Sequence, residues 1–165
     1  FNDISKDFGG DNFEWTSNSE ERNRLWKARH DAYYSVKACR PEADYIATDV
    51  CVPISRLSEC IMQTIEDMEK NSLFGPIVGH VGDGNFHVQL LVDPKITKEV
   101  SDANAFLERL ADRAIKMDGT CTGEHGIGQG KKQYLIDELG AAVNYMKLIK
   151  KELDPKGIMN PGKIL

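Results

Sequence analysis

The sequence predicts an α+β fold: an antiparallel sheet with a ferredoxin-like βαββαβ core, followed by C-terminal helices. Three observations predict it. Between residues 45 and 123 the apolar periodicity spells strand, helix, strand, strand, helix, strand. The pair Asp83-Gly84 stands between two β-type runs, the signal of a tight hairpin turn. The 165 residues, 41% of them apolar, suffice for one sizeable core.

Residues 1–16 are polar and glycine-rich and read as a loop or the end of a strand. Ser17-x-x-Glu20 has the form of a capping box. It opens a helix to about Val36 with the stripe Leu25, Trp26, Ala28, Ala32, Tyr33 and Val36. Residues 45–53 are β-rich and form one strand. Ser55 caps a helix striped by Leu57, Ile61, Ile65 and Met68, which Asn71 and Gly75-Pro76 end. The hairpin arms are residues 77–81 and 86–92, closed by Asp93-Pro94. A long amphipathic helix starts near Thr97 and carries Val100, Leu107, Leu110, Ala111, Ala114 and Met117 inward. Residues 119–123 make a short strand. Glycine-rich residues 124–130 lead into another helix, and residues 141–153 form the last one, stopped at Asp154-Pro155-Lys156-Gly157.

Charged residues make up 28% of the chain and the net charge is −5, so there is no electrostatic case for nucleic acid or an anionic membrane. No apolar run approaches the ~20 residues of a transmembrane helix. The four cysteines lie far apart without a C-x-x-C, which points to reduced thiols in an intracellular setting. No targeting segment follows Phe1, and the chain reads as an internal or C-terminal piece of a longer protein.

The chemistry gathers around His80-Val81-Gly82-Asp83-Gly84-Asn85-Phe86-His87. A type I′ turn at Asp83-Gly84 sets Gly82 opposite Asn85, Val81 opposite Phe86 and His80 opposite His87. Opposed residues share a face with Cβ atoms ~5 Å apart, within reach of one metal ion. Val78 then faces Gln89, so Gln89 projects from the same side. Two histidines need a third ligand, and Gly123-Glu124-His125-Gly126 offers one. Neighbours in extended backbone point to opposite sides, so the two can take different jobs, Glu124 as ligand and His125 as a free base near substrate. The plainer alternative is a polar loop with glycines for turning. Arg29 lies on the stripe side of its helix, where a guanidinium needs an anion. That anion is either an internal carboxylate or the carboxylate of a substrate. The run Gly126-Ile127-Gly128-Gln129-Gly130-Lys131-Lys132 fits neither a Walker loop nor a dinucleotide fingerprint. Its glycines are expected to permit close backbone approach to something bound.

Three phrases carry a resemblance over essentially the whole chain: 79–87 (GHVGDGNFH), 123–128 (GEHGIG) and 153–163 (LDPKGIMNPGK). They resemble the C-terminal domain of FAD-linked 2-hydroxy-acid dehydrogenases, of the vanillyl-alcohol-oxidase fold group. Residues 25–30 (LWKARH) and 48–54 (TDVCVPI) are most similar to its mitochondrial D-lactate dehydrogenase branch. The resemblance implies that residues 1–165 are the substrate- and metal-binding domain, with an FAD domain that precedes it absent from this chain. It implies His80, His87 and Glu124 as ligands of a divalent metal, zinc or manganese, and His125 as catalytic base. It implies Arg29 as holder of the substrate carboxylate, Asn85 and Gln89 as substrate-lining, and Asn160 near the flavin. The implied partners are a small 2-hydroxy acid and an electron-acceptor protein or quinone, in the mitochondrion. Hydroxyglutarate enzymes of the family tend to carry a lysine near position 47, where Ala47-Thr48 stands here, which favours a monocarboxylate such as lactate. Two other readings of the same residues are a metal-dependent hydrolase domain and an inactive isolated α+β fragment.

Overall fold

Strand β4 (Asn85–Val92) is the axis of the sheet, and all eight of its residues are buried. The computed structural model describes residues 1–11 and 13–165, in two compact units, Phe1–Cys39 and Arg40–Leu165. The second unit contains the sheet. Strands β1 (Asp44–Ala47) and β2 (Val50–Cys51) run antiparallel along one side of β4, and β3 (Ile77–His80) along the other. Thr120 makes an antiparallel bridge to Cys51 outside β2. The spatial order is therefore Thr120, β1/β2, β4, β3, the order of a ferredoxin-like sheet. The expected fourth strand at 119–123 is reduced to that single bridge.

Alternation along β4 divides its side chains between two faces. Phe86, Val88, Leu90 and Val92 enter the core. They meet helix α3 (Ile54–Lys70) through Leu57, Cys60 and Met68, and helix α4 (Thr97–Lys116) through Ala103, Phe106, Leu110 and Ala114. Both inward stripes repeat at helical spacing, which makes this half a two-layer packing of helices on a sheet. Asn85, His87 and Gln89 point to the opposite face.

An ion cluster fastens α3 to α4. The buried Asp67 carboxylate accepts from Arg109 Nη2 at 2.6 Å and from Arg113 Nη2 at 2.7 Å. Asn71 Nδ2 adds a bond at 2.8 Å. Burial works against the charge, but the two guanidiniums outweigh it and hold the carboxyl below its ordinary range. Helices α5 (Lys132–Leu139) and α6 (Ala142–Leu153) follow. After α6, the Asp154 carboxylate accepts from the Lys150 ammonium and from the backbone N–H of Ile158 and Met159 at 2.9 Å. That chelate, rather than Pro155 alone, shapes the tail.

Several expectations change. Residues 45–53 are not one continuous strand, because the ladder is interrupted at Thr48-Asp49. The hairpin register is His80↔Asn85 and Val78↔His87, two residues away from the expected one. The loop is a 3-10 turn, Val81–Asp83, ended by Gly84 in the left-handed region at φ +76. Gly84 also passes so close to the chain that a Cβ there would lie 2.0 Å from Val52 O. A two-residue slip preserves parity, so His80 and His87 still share a face, diagonally rather than directly opposed.

In the first unit, helix α1 (Asn2–Asp7) replaces part of the expected loop; Asn12 lies outside the described residues. The cap of helix α2 (Ser19–Cys39) is Asn18, whose Oδ1 accepts from Glu20 N–H at 2.8 Å, and not Ser17. Helix α2 buries none of its residues, so the Leu25–Val36 stripe is not a core face. Among the described residues all four cysteines are free thiols, and no helix is long and apolar enough to cross a membrane.

The Asp67 cluster generates the first test. Asp67→Asn should cost about 3 kcal/mol in denaturant unfolding, since it leaves two guanidiniums without their anion. A carboxylate held below its unfolded value contributes stability that is present above ~pH 4 and is lost as pH falls through the folded value. The wild-type protein should therefore lose stability below about pH 4 more steeply than the Asn variant.

Candidate metal centre

The interruption at Thr48-Asp49 builds one wall of the site. Where the ladder would continue, the Thr48 hydroxyl accepts the Val88 N–H at 2.7 Å. The Thr48 carbonyl is thereby released to His87 Nδ1, 2.8 Å away. A carbonyl only accepts, so Nδ1 carries the hydrogen and Nε2 is left with its lone pair. Nε2 faces Glu124 Oε1 at 3.0 Å. Two acceptors at that distance repel unless a proton or a metal ion lies between them.

The same oxygen is the focus of two more imidazoles. His80 Nε2 lies 3.6 Å from Glu124 Oε1 and His125 Nε2 3.7 Å from it. The His87 and His125 rings stack at 5.0 Å, while His80 stands nearly perpendicular to His87 at 6.1 Å. The ligand atoms of His80, His87 and Glu124 all lie within 4.8 Å of one another. With metal–donor bonds of about 2.1 Å, two ligands of one ion are about 3.0 Å apart at right angles and about 3.4 Å at tetrahedral angles. The His87–Glu124 separation of 3.0 Å falls in that range and the His80–Glu124 separation of 3.6 Å lies just beyond it. Two imidazoles and a carboxylate suit zinc or manganese, and the Thr48 carbonyl behind His87 is the orienting partner that metal-bound histidines typically have. His80, Glu124 and His125 are each nearly half exposed, so the cluster is open to solvent.

One expectation is corrected. Glu124 and His125 do not diverge; both side chains turn into the same site. The backbone is curled rather than extended, because both N–H groups donate to Oδ2 of Asp49, at 3.0 and 2.8 Å. Asp49 escaped the sequence reading. It is 1% exposed, and Asn85 and Thr122 also donate to it, at 2.8 and 2.9 Å. Burial raises its carboxyl, but these four donors prevail and hold it well below the usual carboxylate range. The available signal was a lone acidic residue inside a β-rich run.

The other expected residues fall as follows. Asn85 is buried, and its amide nitrogen donates to Asp49 and to Val50 O, while Oδ1 accepts nothing from the described residues. Gln89 lies two positions beyond His87 on the same face, and its buried Oε1 is likewise unpaired. Arg29 is exposed on α2 in the first unit and makes no ion pair among the described residues. Asn160 sits in the C-terminal tail at φ +46, beside a cavity of about 430 Å³ lined by Met146, Ile149, Leu153 and Met159. Around Gly126 and Gly128 there is open space rather than close approach by the protein; their positive φ is what asks for glycine.

Residues 1–164 of the 165 match the family model "FAD linked oxidases, C-terminal domain". The chain belongs to this family. Its members similar to this chain include a probable mitochondrial D-lactate dehydrogenase of Danio rerio, 54% identical over 99% of the chain. A mitochondrial D-lactate dehydrogenase (cytochrome) of Arabidopsis thaliana is 41% identical over 98% of it. A glycolate oxidase subunit of Bacillus subtilis is 32% identical over 88% of it. These matches cover 33%, 29% and 31% of the relatives. The chain thus spans about a third of the length of the curated relatives it matches.

The wall of this FAD-linked oxidase domain can be tested at Thr48. Thr48→Val removes the acceptor of a buried N–H and should cost about 1–3 kcal/mol in unfolding experiments, whereas Thr48→Ser should retain most of the stability.

Proposed function

We propose that this domain is the substrate- and metal-binding part of a flavin-dependent dehydrogenase that oxidises D-lactate or a similar D-2-hydroxy acid to the 2-oxo acid. The observation that carries the reading is the convergence of three imidazole Nε2 atoms on Glu124 Oε1 in an FAD-linked oxidase domain. His80, His87 and Glu124 would hold a divalent cation, zinc or manganese. FAD would be bound mainly by residues outside this chain, with Asn160 the one residue here assigned toward it. The chemistry that a bound cation and flavin supply is polarisation of the substrate hydroxyl and acceptance of the hydride from Cα, respectively.

The chain's own residues do the rest. The substrate carboxylate is assigned to Arg29 by the family resemblance, a guanidinium being suited to a two-pronged contact with it. His125 takes the hydroxyl proton at Nε2, which must be unprotonated for the purpose. Asn85 Oδ1 and Gln89 Oε1 are buried acceptors on the His87 face, where a donor from a bound molecule would satisfy them. Loss of the hydroxyl proton and of a hydride from Cα leaves the 2-oxo acid. Ala47 in place of a second cation favours a monocarboxylate. The names of the relatives support D-lactate, a mitochondrial setting and a cytochrome-type electron acceptor. Membership in a flavin-linked family favours this reading over a metal-dependent hydrolase built on the same donors.

In the full-length protein, His125→Ala should lower D-lactate turnover by about 10²–10⁴-fold with metal content unchanged. His80→Ala and His87→Ala should lose both. If His125→Ala removed the metal as well, the separation of base from ligands would be wrong.

A further inference from the structure

We propose that Asp49 is a positioning residue for the metal centre, holding Glu124 and His125 in place through their backbone rather than ligating an ion itself. This rests on the reading of His80, His87 and Glu124 as metal-binding. Asp49 has the look of a ligand, since its carboxylate lies within 4.8 Å of donor atoms of His87 and His125. Its hydrogen bonds say otherwise. Oδ1 accepts from Asn85 Nδ2 at 2.8 Å. Oδ2 accepts from the Thr122 hydroxyl at 2.9 Å, Glu124 N–H at 3.0 Å and His125 N–H at 2.8 Å. An ionised carboxylate has about two lone-pair sites on each oxygen; three donors saturate Oδ2, and the site left on Oδ1 looks toward His87 Nδ1 at 3.7 Å, an atom already committed to the Thr48 carbonyl.

The direction of those bonds gives Asp49 its role. Among the described residues the Glu124 carboxylate meets nothing but the three imidazoles, so its place is set by its backbone. That loop is tied to Asp49 by the Thr122 hydroxyl and by the two consecutive backbone N–H groups of Glu124 and His125. Gly123 lets the loop come down on the clamp, because a Cβ there would lie 2.1 Å from Asn85 Nδ2 and 3.0 Å from Asp49 Oδ1. Lys131 closes the arrangement from the far side. Its ammonium donates to the carbonyls of Asp49 and Cys121, at 3.0 and 2.7 Å, and stands 3.9 Å from Asp49 Oδ2. One buried anion thus joins the Thr48-Asp49 interruption between β1 and β2, the strand that carries Asn85 and His87, and the loop that carries Glu124.

The test uses the full-length protein, manganese(II) as probe, and hydrogen exchange. In the wild type the amides of Glu124 and His125 should exchange far more slowly than unprotected loop amides. Asp49→Asn should release both and weaken manganese(II) binding by about 10–100-fold. Asp67→Asn, which is destabilising but remote from the site, should do neither. A folded Asp49→Asn protein with wild-type manganese(II) affinity would overturn the proposal. If that variant fails to fold, the wild-type exchange decides: rapid exchange at Glu124 and His125 sinks the clamp. Should the wild type itself take up no manganese(II) or zinc(II), the metal reading fails separately, and the exchange result still says whether Asp49 holds the loop.

Discussion

Burying an ionised carboxylate is costly unless several hydrogen-bond donors meet it. Asp49 meets that condition with four donors drawn from Asn85, Thr122, Glu124 and His125. Strand and loop, more than seventy residues apart in sequence, are joined there. Because the loop is held by its backbone, the side chains of Glu124 and His125 are free to face His80 and His87. The price is an interrupted strand, and Thr48 limits it by substituting its hydroxyl for the missing ladder acceptor.

The sheet separates stability from chemistry. The even-numbered residues of β4 bury Phe86, Val88, Leu90 and Val92 against α3 and α4. The odd-numbered ones present Asn85, His87 and Gln89 on the other face. A central strand buried on both faces is rigid, which suits ligands that must stay within a few tenths of an ångström. The Asp67–Arg109–Arg113 cluster fixes the helical layer independently of the site.

The strand order was legible because alternation of helix and strand periodicity survives any small error in boundaries. The shared face of His80 and His87 was legible for a related reason: the turn is two residues longer than Asp83-Gly84 implies, and a shift of two returns each side chain to its face. The convergence of Glu124 and His125 was not, since adjacent residues point apart unless something bends the backbone. What bends it is Asp49, marked in the sequence only as a lone acidic residue inside a β-rich run. The Leu25–Val36 stripe of α2 failed as a guide to burial, because helical periodicity says which residues align and not what covers them. The family phrases around 79–87, 123–128 and 153–163 carried more, and the match to FAD-linked oxidases over residues 1–164 agrees with them.

On the proposed function, His80, His87 and Glu124 surround one divalent ion. An anomalous-difference map from crystals of the full-length protein, recorded at the manganese and zinc edges, tests it most directly. A single peak is expected within about 2.0–2.3 Å of His80 Nε2, His87 Nε2 and a Glu124 oxygen, with Asp49 outside the coordination shell. No peak in metal-replete crystals, or a peak ligated by Asp49 in place of Glu124, would contradict it.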